Sequence, residues 1–324
     1  MKIAEEPNIS RINPTQNREI SMREKRSFSP EVSIALCTYN GELFLREQLD
    51  SILNQDYPVL TEIVCVDDNS TDNSWSILQE YAEKFTHINI SRNTPKLGYV
   101  KNFEKELTLT TKPFIAISDQ DDIWYPTKIT KLVSAIGNNL MVYSDSEYID
   151  INGKSSGNKL SDNRNLTTCT SCLNFALFNA ISGHNILMSK DLLKYALPFS
   201  EEIPHDFWLG FHASQLGEIP VVKEVLVGYR QHANNIIGGI GHSGGKKDSD
   251  LERIRNSKIK IDIFAKNTAL YLSKEQKIFE QLAKSYTDKS FAMRLKRVCI
   301  FWKNNDALFL FKKRTKMRNL LYCL

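Results

Sequence analysis

What most restricts the fold of this chain is a rhythm in its first third. Four short apolar runs rich in β-branched residues, at Val32–Thr38 (VSIALCT), 62–67 (EIVCVD), 88–91 and Phe114–Ser118, each end in a turn signal and give way to a more polar stretch. Between the first two runs, Leu45, Leu49, Ile52 and Leu53 return at one-face helical spacing, as Trp75, Leu78, Ala82 and Phe85 do after the second. A third helix is expected around residues 100–107. Strands that alternate with helices form a mainly parallel sheet covered on both faces and joined by right-handed crossovers. The expected class is therefore α/β, Rossmann-like, with ligands beyond the carboxyl ends of the strands.

The rhythm breaks after residues 140–145. A polar loop at 152–165, an apolar stretch at 175–181, a strand-like run at 184–189 and a short helix follow. Next come a helix over His205–Leu216, entered after Pro204, and one or two strands over 221–229. A glycine-rich patch at 238–245 separates this body from a helical end. The expected organisation is a mobile tail over 1–30, where apolar positions are sparse, a body over 31–240 with halves 31–122 and 123–240, and a helical region over 241–324.

Composition sets outer limits. With 324 residues, 41% of them hydrophobic and 25% charged, the chain is neither disordered nor a small stapled scaffold. No run of about 18 uncharged apolar residues offers a membrane span, and the N-terminal stretch lacks a secretory pattern, so a cytoplasmic address is expected. The net charge of +4 hides an asymmetry: residues 281–324 carry eleven Lys and Arg against Asp288 and Asp306, about +9, which leaves about −5 for the rest. The same segment holds Phe291, Ile300, Phe301, Trp302, Leu308, Phe309, Leu310 and Phe311. This mix suits a helix lying on anionic lipid with its aromatics at headgroup depth, or a helix packed on the body with a solvated basic face. Nucleic acid is not an expected partner, because the body offers no matching basic face or motif. Cys37 and Cys65 sit inside apolar runs as small buried thiols. Cys169 and Cys172 form a lone CxxC without the second pair or nearby His that a zinc site needs.

The chemistry gathers at strand ends. In Ser118-Asp119-Gln120-Asp121-Asp122-Ile123-Trp124 three carboxylates crowd where a buried run stops. They repel one another unless a positive charge sits among them, and an all-oxygen set favours a hard divalent ion, Mg²⁺ or Mn²⁺, shared with substrate phosphates. A solvated acidic turn that caps the next helix is the plainer alternative. A second acidic cluster, Asp67-Asp68-Asn69-Ser70-Thr71-Asp72, ends the second run on the same rim. There a carboxylate can accept hydrogen bonds from a base or a ribose, or the stretch can serve as a turn.

Together VSIALCTYNGE, LREQLDSILNQ, EIVCVDDNSTDNS, GYVKNFE and ISDQDDIW resemble the nucleotide-sugar-binding half of family 2 glycosyltransferases with the GT-A fold. The resemblance runs from about residue 31 to about 236. With HDFW and YRQHANNIIG it is similar to bacterial rhamnosyltransferases of surface-polysaccharide (O-antigen or capsule) assembly. The resemblance implies that Thr38, Tyr39, Asn40 and Glu42 hold base and ribose, that Asp68 bonds the pyrimidine, and that Gly98 and Lys101 approach base and diphosphate. It implies a DXD motif at Asp119 and Asp121, with Gln120 between them and Asp122 alongside, for ribose and metal. Gly183 and His184 resemble the loop beside the donor sugar, and His205-Asp206 stands where the family often has Glu-Asp. Asp206 is the implied general base. His232 matches a late histidine given to metal or diphosphate, and Arg230 is a candidate for phosphate charge or for a packing role.

The implied reaction is single-sugar transfer with inversion, dependent on Mg²⁺ or Mn²⁺, from a dTDP- or UDP-sugar. The implied acceptor is a saccharide, free or undecaprenyl-linked, at the inner face of the plasma membrane. The Gln-x-x-Arg-Trp string and transmembrane helices of processive members are absent from the sequence. Two other classes remain open: a sugar nucleotidyltransferase, which would want a glycine-rich basic phosphate loop where this chain has Tyr39-Asn40-Gly41-Glu42, and a non-catalytic sugar-binding protein on the same fold.

Overall fold

A computed structural model of the chain describes residues 30–232, 250–269, 272–288, 290–313 and 315–320. The tail expected over 1–30 (all but its last residue) and the glycine-rich patch at 238–245 lie outside the described residues. From Glu31 onward the chain forms one compact unit. Its strands are β1 (Val32–Thr38), β2 (Leu60–Asp67), β3 (Ile88–Arg92), β4 (Phe114–Ser118), β5 (Ile123–Trp124), β6 (Met141–Ile149), β7 (Ser155–Lys159), β8 (Ile186–Ser189) and β9 (Val221–Arg230). The longer helices of the body are α1 (Leu45–Leu53), α2 (Ser74–Lys84), α3 (Tyr99–Leu109), α4 (Lys128–Ile136) and α5 (His205–Leu216).

β1 is buried along its whole length. A central parallel strand is covered on both faces, which is why its sequence is a continuous apolar run rather than an alternation. Its side chains still divide with period two. Ile34 and Leu36 join the core under α1, α2 and α4, whereas Ala35 and Cys37 join the core under α3 and α5. The sheet runs β3-β2-β1-β4-β8-β6-β9-β5, with β7 beside β6. Its β3-β2-β1-β4 half is wholly parallel. Parallel pairing returns between β6 and β9, while β8 is antiparallel to both its neighbours. After β3 the chain crosses back over β1 to lay down β4, so strand order reverses between β1 and β4. A crevice opens beyond the carboxyl ends at such a reversal.

The polar loop expected over 152–165 contains β7 and a short helix, Leu160–Asn163. β5 has only two residues, too few to register a period in sequence.

The helical end consists of α6 (Asp250–Asn267), α7 (Ser273–Thr287) and α8 (Phe291–Lys303), followed by two short helices. It shares the α3/α5 core of the sheet. Ile261, Phe264, Phe279, Leu282, Ile300, Phe301, Leu308, Phe309 and Phe311 are buried there, and Phe264 stacks on Phe211 of α5 with centroids 4.0 Å apart. Of the residues read as a lipid-facing set, Ile300, Phe301, Leu308, Phe309 and Phe311 are therefore core, because α5 presents an apolar surface that needs covering. Phe291 and Trp302 remain exposed. Cys169 and Cys172 are buried free thiols in the same core, and burial pushes the Cys172 thiol up to about 12, far from its reactive thiolate form. Among the described residues no helix is long and apolar enough to cross a membrane.

Candidate active site

The ends of β1 and β2 are tied to each other before either can meet a ligand. Asn40 and Asn69 both take left-handed backbone conformations, φ 52° and 64°, which asparagine tolerates better than most residues. The Asn40 amide donates to Ser70 Oγ (2.9 Å), and Asn40 Oδ1 accepts from the Thr71 amide (2.9 Å). Glu42 Oε2 accepts from the Asn73 amide at the start of α2 (2.9 Å). Asp68 Oδ1 accepts from the Leu97 amide (2.7 Å) and Asn93 Nδ2 (2.8 Å), and Oδ2 from the Gly98 amide (2.9 Å). Its carboxylate thus fixes the turn into α3, where Gly98 has φ 84°. Lys96 from this turn places Nζ 3.2 Å from the centroid of the Tyr39 ring, a cation–π contact that orients an exposed aromatic face.

The acidic loop after β4 meets these turns through Gln120. Its Oε1 accepts from Thr38 Oγ1 (2.6 Å) and the Tyr39 amide (2.8 Å), and its Nε2 donates to the Tyr39 carbonyl (3.1 Å). A Cβ on Gly41 would lie 2.4 Å from Gln120 Oε1, so only glycine permits this junction. The three acids of the loop then diverge. Asp121 Oδ2 lies 2.7 Å from His232 Nε2. Asp119 Oδ2 and Asp122 Oδ2 lie 3.7 Å and 3.5 Å from His184 Nδ1, and the His184 ring is held from behind by Ser146 Oγ at Nε2 (2.9 Å) and by stacking on Tyr229.

Burial works to raise the Asp119 carboxyl, but His184, His205 and Lys128 opposite it prevail and hold it below the usual carboxylate range. Asp122 is driven well above that range by burial and by its two acidic neighbours. Their surroundings thus push the two carboxyls in opposite directions. Lys128 is the internal counter-cation: fully buried, donating to the His184 carbonyl (2.6 Å), with its own pKa pressed well down by desolvation.

Asp119, Asp122 and His184 bring ligand atoms within 4.8 Å of one another, and Asp122 Oδ2 is buried without a hydrogen-bond partner. Carboxylate oxygens with one imidazole fit Mg²⁺ or Mn²⁺.

The opposite wall comes from the Gly183–Asn185 turn before β8 and the first turn of α5. His205 stacks on Phe103 with centroids 3.8 Å apart. It is 7% exposed, and neither ring nitrogen has a hydrogen-bond partner. Burial lowers its pKa, which keeps the imidazole neutral. Gly183 backs it so closely that an added Cβ would sit 2.5 Å from Nε2. Asp206 follows, half-buried, its Oδ1 accepting from the Phe207 amide (2.6 Å). Burial raises its pKa, against the opposing pull of His205 and that amide.

These groups face one cleft of about 670 Å³, within the range of pockets that enclose small ligands. Thr38, Tyr39, Asn40, Asp68, Gly98, Asp119, Gln120, Asp121, Gly183, His184, His205, Asp206 and His232 all line it. Glu42, Lys101, Asp122 and Arg230 are not among its lining residues. Glu42 holds α2, and Lys101 pairs with Glu104 (3.1 Å). Asp122 lies behind the wall, where Oδ1 accepts from the Arg230 amide (3.0 Å). The Arg230 guanidinium is fully buried, donating to the Asp121 carbonyl (2.8 Å), the Ile151 carbonyl (2.8 Å) and Glu47. It shapes the acidic loop from behind rather than facing a phosphate. Sequence reasoning passed over Lys96, Phe44, Phe103 and Tyr229 in the lining and Lys128 behind it. Lys96 stands two residues before Gly98 and could have been found from that, whereas Lys128 looks like any solvent-facing lysine of an amphipathic helix.

Comparison with known proteins agrees with this geometry. The model of "Glycosyl transferase family 2" matches residues 33–196. The chain is 28% identical over 258 residues to an uncharacterized glycosyltransferase of Haemophilus influenzae, covering 75% of this chain and 80% of that protein. It is 39% identical over 117 residues to the dTDP-rhamnosyl transferase RfbG of Shigella flexneri, covering 34% of this chain and 40% of that protein. Among solved structures it resembles S. aureus TarS 1-349 in complex with UDP-GlcNAc, with a TM-score of 0.53 and 18% identity over 86% of this chain and 81% of the other. That likeness concerns the fold, which is the GT-A arrangement.

Proposed function

The chain belongs to Glycosyl transferase family 2, and we propose that it moves one sugar from a nucleoside-diphosphate sugar to a saccharide hydroxyl, with inversion at the anomeric carbon. Residues 31–240 are taken as the catalytic body and 241–324 as a helical region built onto it. The observation that carries the reading is the convergence of Asp119, Asp121, His184, His205, Asp206 and His232 on one cleft at the strand-order reversal. In this reading Tyr39, steadied by Lys96, offers a face to the base, and Asp68 and Asn40 border base and ribose. Asp119 and Asp122, with His184, would hold Mg²⁺ or Mn²⁺, and the Asp121–His232 pair stands beside them on the same cleft. Bound there, the ion would offset charge on the diphosphate.

Both ring nitrogens of His205 are buried and have no hydrogen-bond partner; as a neutral imidazole it can donate to one sugar hydroxyl and accept from another when a donor is bound. Asp206 takes the proton of the acceptor hydroxyl as that oxygen attacks the anomeric carbon and the nucleoside diphosphate departs from the other side of the ring. No covalent enzyme intermediate is required. The donor is a dTDP- or UDP-sugar, and dTDP-rhamnose is the first to test because of the similarity to the Shigella protein. The acceptor is a saccharide, free or undecaprenyl-linked, of a cell-surface polysaccharide, handled at the inner face of the plasma membrane.

The test pairs donor protection with turnover. A panel of dTDP- and UDP-sugars with Mn²⁺ is expected to raise the melting temperature for one donor. Asp206→Asn should keep that protection while transfer falls by about 10²- to 10⁴-fold. Because burial raises the Asp206 pKa, the wild-type rate should fall on acidification at a pH above the ordinary carboxylate range, as the base gains its proton. The residual rate of Asp206→Asn should lack that limb. Full transfer activity in the variant would remove Asp206 from the role, and no protection by any donor would remove the donor site.

A further inference from the structure

Helix α8 carries two apolar faces, and only one of them is used inside the fold. Arg297, Ile300 and Phe301 are buried, Arg297 against Ser285 and Tyr286 of α7 and Phe301 against Phe309. Phe291, Leu295, Cys299 and Trp302 recur at steps of four, four and three along the same helix, which places them on a single stripe. All four are exposed, Phe291 at 75%, Leu295 at 51% and Trp302 at 46%. Exposed Arg294, Lys296 and Lys303 border the stripe. The short helix Lys316–Leu320 extends it with exposed Met317 and Arg318, and Lys316 Nζ reaches the Trp302 ring, 4.5 Å from its centroid. Isolated exposed apolar residues are ordinary on a folded protein, but a contiguous stripe with a charged border marks a docking surface.

We propose that this stripe is a membrane-docking face that seats on an anionic lipid surface. Charge chooses the occupant. Residues 281–324 hold eleven Lys and Arg against two acids, so the border is almost wholly basic and is attracted to anionic headgroups, while Phe291, Leu295 and Trp302 enter the acyl boundary. A second copy of the chain is disfavoured on the same ground. Two stripes meeting about a twofold axis would press basic borders together. The buried half of α8 joins the core that the helical end shares with the sheet, so docking needs no refolding. The inference stands on this surface and not on the sugar-transfer reading.

The experiment is co-sedimentation of the full chain with phosphatidylglycerol/phosphatidylethanolamine vesicles and with pure phosphatidylcholine vesicles. The wild type should bind the anionic vesicles, bind the neutral ones far less, and come off as salt rises. Leu295→Glu/Trp302→Glu, which removes the apolar contact, and Arg294→Glu/Lys303→Glu, which removes the charge, should each weaken anionic binding about tenfold or more. Both should keep the wild-type melting temperature and its response to donor, so failure of docking and failure of the donor site read out separately. Equal binding by wild type and both variants would overturn the proposal. So would no binding to anionic vesicles, or a lipid-free dimer in light scattering that Leu295→Glu/Trp302→Glu dissolves.

Discussion

Gly183 and His205 illustrate how the site is set residue by residue. The imidazole occupies its place because Phe103 stacks on one side and Gly183 leaves no side chain on the other. Gly183→Ala puts a methyl group 2.5 Å from Nε2, and His205 must leave its stack to admit it. The donor KM should rise about tenfold or more, since losing one oriented polar contact is worth a kcal/mol or two. Circular dichroism and the melting temperature should change little, because the displaced ring faces the cleft. An unchanged KM would free His205 from donor recognition. At this scale the acids were legible from sequence: Asp68, Asp119 and Asp121 end buried runs, and a strand end is where a polar residue reaches a ligand. Arg230 and Glu42 lie outside the cleft lining, which was not legible because residue type and position hint at chemistry but do not give partners. Arg230 is consumed by carbonyls of the 121 and 150–151 segments and by Glu47. Lys128 was invisible, since nothing local says that a lysine will be enclosed beneath two carboxylates.

At the scale of elements, the parallel strands were readable because a fully buried strand must be apolar on both faces, and β1 is. The helix at His205–Leu216 was readable from the proline before it, and it begins and ends as expected. Its near-uniform burial was not, because its partners are scattered through the sequence: Phe175 and Ala196 before it, and Phe264 of α6 and Phe279 of α7 about 50 to 70 residues after it. An amphipathic pattern tells that a helix has an apolar face but not what covers it, and α8 has one face buried in the fold and a second apolar stripe left exposed. Phe264 is the sharpest probe of this packing, as it is fully buried against Phe211 and Phe279. Phe264→Ala should cost about 3–5 kcal/mol of stability, read by urea unfolding. A cost under about 1 kcal/mol would mean that α6 is a loosely held appendage.

For the molecule as a whole, two cores grip one sheet from opposite faces, and the cleft sits where the strand order turns back on itself, between the ends of β1 and β4. Loops from both sides of that reversal, together with the first turn of α5, contribute the lining. A ligand that fills the cleft must therefore quiet segments distant in sequence at the same time. The direct measurement is amide hydrogen exchange on the full chain, with and without the stabilising nucleoside-diphosphate sugar and Mn²⁺. The account predicts slowed exchange together at 38–41, 96–99, 119–122, 182–184 and 205–207, with the surface of α8 unaffected. Slowed exchange confined to any other region, or no change in these five under saturating donor, would contradict it.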